Sequence, residues 1–305
     1  MADLTFFQVD VFTSRRLEGN PLAVFPDATG LDARTMQALA REMNLSETTF
    51  VTPSESATRR VRFFTPSAEI PLAGHPTIGT WWLLAERGLI DVPPHGGIHV
   101  TQETGAGILP VELEMQDRHP SRVVMTQARP EFGPEDTDPA SLADALGAHP
   151  ADLAQHPLPG IVSTALPQLM VPFVSRRALE ALPSGGAGGA LVEHLRSVGT
   201  NCAMCYWLED AGHDAAVRCR MFAPGLGVPE DPATGSAAGA LGAYLVRHGL
   251  VKDPSDTTRV TVHQGYEIGR ASRIDVDVDT SPKGTIQAVR VGGEAVTVIE
   301  GRVHL

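Results

Sequence analysis

Two short segments carry residue types suited to moving a proton on a small acid: EIPLAGHP at 69–76 and EDPATGS at 230–236, each just ahead of a run with helical character. The first N–H groups of a helix have no partner inside it and carry partial positive charge, so each Gly-rich start is a place for an anion or carboxylate. Gly74 and His75 stand at the first start; Gly235 and Ser236 stand at the second, with Asp231 just before them. Glu47, in NLSETTFV, lies between a helix and a strand. A carboxylate serves for proton transfer when it is close to a carbon acid and desolvation has raised its proton affinity. Each residue also has a plainer role open to it: His75 and Asp231 as helix caps, Ser236 as an ordinary first-turn residue, Glu47 as a solvated surface charge.

The elements that must position these groups occur twice. Residues 69–90, EIPLAGHPTIGTWWLLAERGLI, align without a gap with residues 230–251, EDPATGSAAGALGAYLVRHGLV. Glu69 falls on Glu230, Pro71 on Pro232, Gly74 on Gly235, Leu84 on Leu245, and Gly88-Leu89 on Gly249-Leu250. Upstream, RFFTP at 62–66 matches RMFAP at 220–224. So many ordered matches indicate two copies of one supersecondary unit. Each copy reads as a strand, then a Gly-rich start, then a helix of about 21 Å closed by a glycine C-cap. Trp81 and Trp82 read as core packing rather than ligand stacking. If the copies face each other across a pseudo-twofold axis, both helix starts converge on one pocket.

The remainder reads as short strands separated by Gly, Pro and Asp clusters, with helices at 32–43, 141–146 and 177–182; SGGAGG at 184–189 reads as a flexible surface turn. The length of 305 residues favours two domains. The expected class is α+β, with an N-terminal domain of 1–118 completed by 292–305 and a C-terminal domain of 119–291.

A formal charge of -12 disfavours a nucleic-acid or anionic-membrane footprint. The only lysines, Lys252 and Lys283, leave the basic chemistry to arginine and exclude most Schiff-base schemes. Cys202, Cys205 and Cys219 are too few for a disulfide scaffold, and a zinc site would have to recruit His213 by special pleading, so buried small hydrophobes are expected. GxGxxG, Walker A and nucleophile-elbow spacings are absent. The start, MADLTFFQVDVF, reads as a first strand rather than a signal peptide, and no run approaches the roughly 18 apolar residues of a membrane span, so a cytoplasmic protein is expected.

With these residues in place, the chain resembles the PhzF-like phenazine-biosynthesis isomerase family. The resemblance rests on FFQVDVFT and GNPLAVF at the start, NLSETTFV around Glu47, FFTPSAEIPLAGHPTIGT around His75, MFAPGLGVPEDPATGSAAGALGAYL around Asp231, and HQGYEIGRAS at 263–272. It implies a fold similar to diaminopimelate epimerase: two related domains, each a curved, mainly antiparallel sheet or barrel around a central helix, commonly as a homodimer. Where the epimerases and proline racemases of that fold carry paired cysteines, this chain has Ala73 and Thr234, so two-cysteine racemisation is disfavoured.

By the same resemblance, Glu47 is the acid/base that shifts a proton within a molecule similar to trans-2,3-dihydro-3-hydroxyanthranilate. His75 and Asp231 hold polar groups of the substrate and assist proton movement. Ser236, with the N–H groups after Gly74 and Gly235, frames the substrate, and Asn20 shapes the pocket. The implied ligand is a small carboxylated metabolite, with no cofactor and no metal. A non-cysteine epimerase or racemase, or a non-catalytic metabolite-binding protein, remains the alternative.

Overall fold

The computed structural model describes residues 3–136, 138–211, 214–251 and 255–305; His213 and Lys252 fall outside them. The chain forms two compact units, Met1–Met125 with Gly292–Leu305, and Thr126–Val291. The divide follows the strand His119–Thr126 instead of preceding it, because that strand pairs antiparallel with Gly107–Gln116 of the first unit.

In unit 1, β1 (Asp3–Val11) and β2 (Asn20–Phe25) are antiparallel, and α1 (Ala33–Met43) leads to β3 (Glu47–Thr52), which runs parallel to β2. Next come β4 (Arg59–Phe64), antiparallel to β3, and the two-residue β5 (Glu69–Ile70) folded back on β4. Helix α2 (Gly74–Glu86) then crosses to β6 (Gly96–Thr104), parallel to β4, and β7 (Gly107–Gln116) and β8 (His119–Thr126) follow antiparallel. The C-terminal strand Ala295–His304 pairs with β1, which settles it in unit 1.

Unit 2 takes the same path. After β9 (Glu131–Glu135) and α3 (Pro139–Leu146), β10 (Gly160–Ser163) pairs antiparallel with β9 and with β11 (Pro167–Pro172). Helices α4 (Arg176–Glu180) and α5 (Gly189–Ser197) lead to β12 (Ala203–Asp210), parallel to β11. Then β13 (Asp214–Ala223) runs antiparallel to β12, and β14 (Val228–Asp231) folds back on β13. Helix α6 (Gly235–Arg247) crosses to β15 (Thr257–Gln264), parallel to β13, followed by β16 (Ser272–Thr280) and β17 (Ile286–Gly293). The duplication read from 69–90 and 230–251 therefore extends to strand order and direction.

The burial patterns explain the architecture. A helix apolar on every side has to be enclosed. In α2 every residue from His75 to Ala85 is buried, and the helix packs on β1, β2, β3, β7 and the C-terminal strand. In α6 Ala237–Leu245 are buried against β10, β11, β15 and β16. Each unit is thus a curved sheet around one central helix, the α+β fold expected. Helix α1 is amphipathic instead. It is capped by Asp32, whose Oδ1 accepts from the Thr35 N–H at 2.7 Å, and it buries Met36, Leu39 and Ala40 against Phe25, Phe50 and Phe64.

The glycine closures are the same in both copies. Leu89 N–H donates to Leu84 O at 2.8 Å and Gly88 N–H to Ala85 O at 3.1 Å; Leu250 and Gly249 make the matching bonds to Leu245 and Val246 at 3.0 and 3.1 Å. These are Schellman closures, and Gly88 and Gly249 hold the left-handed conformation they need at φ 64° and 65°. The surface turn at 184–189 is shorter than expected, since α5 begins at Gly189 without a side-chain cap and is held by the burial of Leu191, His194 and Leu195. Among the described residues no helix is long and apolar enough to cross a membrane.

Candidate functional site

Unit 1 brings Glu47 and His75 together. Glu47 opens β3 and His75 is the second residue of α2, 28 positions later; Nε2 of the imidazole lies 3.5 Å from the Glu47 carboxylate oxygen Oε2. His75 is 7% exposed. The Glu47 side chain retains 20% exposure, yet Oε2 itself is buried and accepts no hydrogen bond. Burial pushes the carboxyl above its ordinary range, and a hydrogen bond from Ser46 draws it partly back. Leaving a buried acceptor unmatched costs about 1–3 kcal/mol, so such an atom is informative where it survives.

Asn20 joins this cluster. It opens β2, is buried, and its Oδ1 accepts from Ser46 Oγ at 3.4 Å. Ser46 thus touches both Asn20 and Glu47, and the sequence reading passed over it although it directly precedes Glu47. Gly74 opens α2, where Ala73 makes no side-chain cap. Inside the unit, Gln102 Nε2 donates to Thr77 Oγ1 at 3.3 Å while Gln102 Oε1 accepts from Trp81 Nε1 at 3.0 Å, so both atoms of this buried amide are matched. Trp81 is core, as its position in the helix suggested.

Unit 2 places Asp231, Gly235 and Ser236 around the start of α6. Thr234 Oγ1 donates a short hydrogen bond to Asp231 Oδ2. Gln264, at the end of β15, donates through Nε2 to Asp231 O at 2.7 Å and Thr234 Oγ1 at 3.1 Å, and accepts from Thr234 N–H at 3.3 Å. Gly265 makes this possible: at φ 79°, a Cβ would stand 2.5 Å from Pro232 O and 2.4 Å from Arg270 O. Ser236 Oγ accepts from Gln168 Nε2 at 3.2 Å, and Thr164 Oγ1 donates to Ser236 O at 3.2 Å and Gln127 Oε1 at 2.8 Å. Gln264 was visible only as part of HQG; Gln168, Thr164 and Gln127 left no local signal, since strands distant in sequence deliver them.

The cysteines stand apart from this chemistry. Cys202, Cys205 and Cys219 are free and buried, with desolvation pushing Cys202 up to about 11 and the other two higher still. Thiolates are correspondingly scarce, as the reading of small buried hydrophobes requires. Among the described residues, no three His, Cys, Asp or Glu side chains gather as a metal site.

Comparison with known proteins decides the family. The model of the phenazine biosynthesis-like protein family matches residues 9–301. The chain belongs to this family. An uncharacterised isomerase of Clostridium acetobutylicum is 34% identical over 303 residues, covering 98% of this chain and 97% of that protein. The trans-2,3-dihydro-3-hydroxyanthranilate isomerase of Pseudomonas aeruginosa is 35% identical over 306 residues, covering 97% and 98%. The crystal structure of a Bacillus anthracis phenazine biosynthesis protein of the PhzF family superposes with a TM-score of 0.88 at 30% identity over 100% of both chains. A hydroxyproline epimerase from Agrobacterium vitis shares the fold at a TM-score of 0.64 and 16% identity, covering 99% of this chain and 91% of its own. The chain thus has the diaminopimelate epimerase-like architecture that the resemblance implied, in agreement with the duplicated segment.

Proposed function

We propose that this chain is an isomerase that moves a proton within a small carboxylated, cyclic or amino-acid-like molecule similar to trans-2,3-dihydro-3-hydroxyanthranilate, with Glu47 as the acid/base and no cofactor. The broader class, an isomerase or epimerase of small carboxylated molecules, rests on the family and its relatives. One observation carries the finer reading: Glu47 Oε2 is buried, accepts no hydrogen bond and lies 3.5 Å from His75 Nε2. Desolvation raises its proton affinity toward the working pH, which is where a general acid/base is most effective.

The ionised Glu47 takes a proton from a substrate carbon, the electron pair shifts into the adjoining π system, and the same carboxyl returns the proton at another carbon. Fixed donors stabilise the negative charge developed in between. His75 holds a polar group of the substrate and assists proton movement. Asp231, Gly74, Gly235, Ser236 and Asn20 bind and orient the substrate. A two-cysteine relay has no support, because Ala73 and Thr234 precede the two glycines and the three thiols are buried. A homodimer is the assembly proposed with this activity, to be checked by light scattering.

The test follows deuterium from heavy water into trans-2,3-dihydro-3-hydroxyanthranilate by NMR. Isomerisation with solvent exchange is expected for the native chain, and Glu47→Gln should slow it about 100-fold or more. A Glu47→Gln protein with undiminished turnover would remove the assigned base. Stereochemical inversion at a single carbon, without migration of the proton, would replace isomerase by epimerase.

A further inference from the structure

A second buried polar atom without a partner lies beside the other helix start. Gln168 sits on β11 and is 1% exposed; its Nε2 donates to Ser236 Oγ, but its Oε1 is buried and accepts no hydrogen bond. The surrounding polar side chains are matched: Thr164 Oγ1 bonds both Gln127 Oε1 and Ser236 O, while Gln264 is engaged through both amide atoms. The strand itself supplies no reason for an amide, since Leu169–Pro172 are all buried and mostly apolar. A leucine or methionine would fill position 168 without burying a polar group. Positioning Ser236 accounts for Nε2 and leaves Oε1 unexplained. Gln102 in unit 1 makes the contrast, being equally buried with both amide atoms engaged.

We infer that Gln168 is a substrate-contacting, specificity-determining residue: its Oε1 accepts a hydrogen bond from an N–H or O–H group of the substrate, beside the Ser236 hydroxyl. This rests on the isomerase reading above and deepens it by naming the residue that reads the donor group such a carboxylate carries. Oε1 is an acceptor only. A second carboxylate placed against it meets an unfavourable lone-pair contact, so dicarboxylates are selected against, and a carboxylate without a donor leaves the amide oxygen as it is in the empty site. Because Oε1 is shielded from bulk water, a donor that reaches it has little competition from solvent, which is why one matched group there discriminates strongly.

The experiment titrates the full chain with 2-aminobenzoate, benzoate and benzene-1,2-dicarboxylate by calorimetry, for the native protein, Gln168→Leu and Gln168→Glu. The native protein should bind 2-aminobenzoate about tenfold or more tightly over benzoate, with the dicarboxylate weakest. Gln168→Leu should bring the aminobenzoate-to-benzoate ratio to within about twofold of one, whereas Gln168→Glu, which keeps an acceptor, should preserve the preference for the amine. A residue that only supports the fold would not separate the two variants in this way. An unchanged ratio in Gln168→Leu, a preference for the dicarboxylate, or no binding of any probe overturns the inference. The parent reading is scored separately by solvent exchange in Glu47→Gln: loss of exchange there with an unchanged ratio in Gln168→Leu removes the role of Gln168 alone.

Discussion

Arg62 and Glu69 in unit 1 make a two-point ion pair, with both contacts at 2.7 Å, and Arg220 and Glu230 repeat it in unit 2 at 2.9 and 2.7 Å. The four residues occupy matching places in the duplicated segment. Their surroundings differ: the side chains of the first pair are 21% and 42% exposed, those of the second 3% and 2%. Arg220 also donates to the carbonyls of Leu179, Glu180 and Leu182 in and just after α4, whereas Arg62, besides its glutamate, meets Met36 Sδ of α1 at 3.4 Å. Duplication has preserved the contact while packing has changed its energetic meaning. At the helix starts the contrast runs the other way, for Asp231, Thr234 and Gln264 form a closed set of hydrogen bonds, whereas Glu47 keeps a buried oxygen with none. Asp231, Thr234 and Gln264 satisfy one another at one start, and at the other Glu47 Oε2 has no donor.

The sharpest way to test this contrast is to remove the two glutamates separately. Glu230→Ala leaves a buried guanidinium without its counter-charge and should cost about 3–5 kcal/mol in urea unfolding. Glu69→Ala should cost less than about 1 kcal/mol, because the exposed pair is screened. Equal losses would break the comparison. Next comes Glu47→Gln, where the 100-fold loss of turnover should be accompanied by no loss of stability. Gln264→Leu should instead cost stability. It strips partners from Thr234 N–H and Asp231 O, so about 1–3 kcal/mol of stability should be lost. A fully stable Gln264→Leu chain would show that the closed network does not hold the start of α6.

The smallest effect is a pH dependence. Burial raises the Glu47 carboxyl above 4.5, so the folded chain holds that proton to higher pH than the unfolded chain does. The stability contributed by this group is therefore fully present below about 4.5 and is lost as pH rises through the raised value. Glu47→Gln removes the titration. Its melting temperature relative to the native chain should change little below pH 4.5 and climb in its favour above it. A difference independent of pH would show that the carboxyl is not perturbed by folding.

Much of the frame was legible along the chain. The two Gly-rich starts, the Gly88 and Gly249 closures and the Asp32 cap are local chemistry, written within a few residues, and an alignment of the chain with itself exposes all of them but the cap. The passage from β4 through the Gly-rich start into α2, and its copy from β13 into α6, could be anticipated for the same reason. Strand β6 and helix α5 were not, since α5 opens at a glycine with no capping side chain and is held by the burial of Leu191 and Leu195. Glu47, His75, Asp231 and Ser236 could be singled out by residue type, but not the groups around them: Ser46 and Gln264 sit inside NLSETTFV and HQGYEIGRAS without standing out, and Gln168 and Thr164 lie in no motif.

By itself, then, the order of residues determined the repeated unit, where α1, α2 and α6 start and stop, and which side chains had the chemistry to matter, because hydrogen-bonding capacity and periodicity belong to the residues themselves. Only the tertiary structure decided that Glu47 Oε2 is buried beside His75, that Arg220 and Glu230 are enclosed while Arg62 and Glu69 are not, and that Gln168 presents an unmatched oxygen beside Ser236. Desolvation and pairing depend on what distant segments bring to the same place, and no window of sequence contains that.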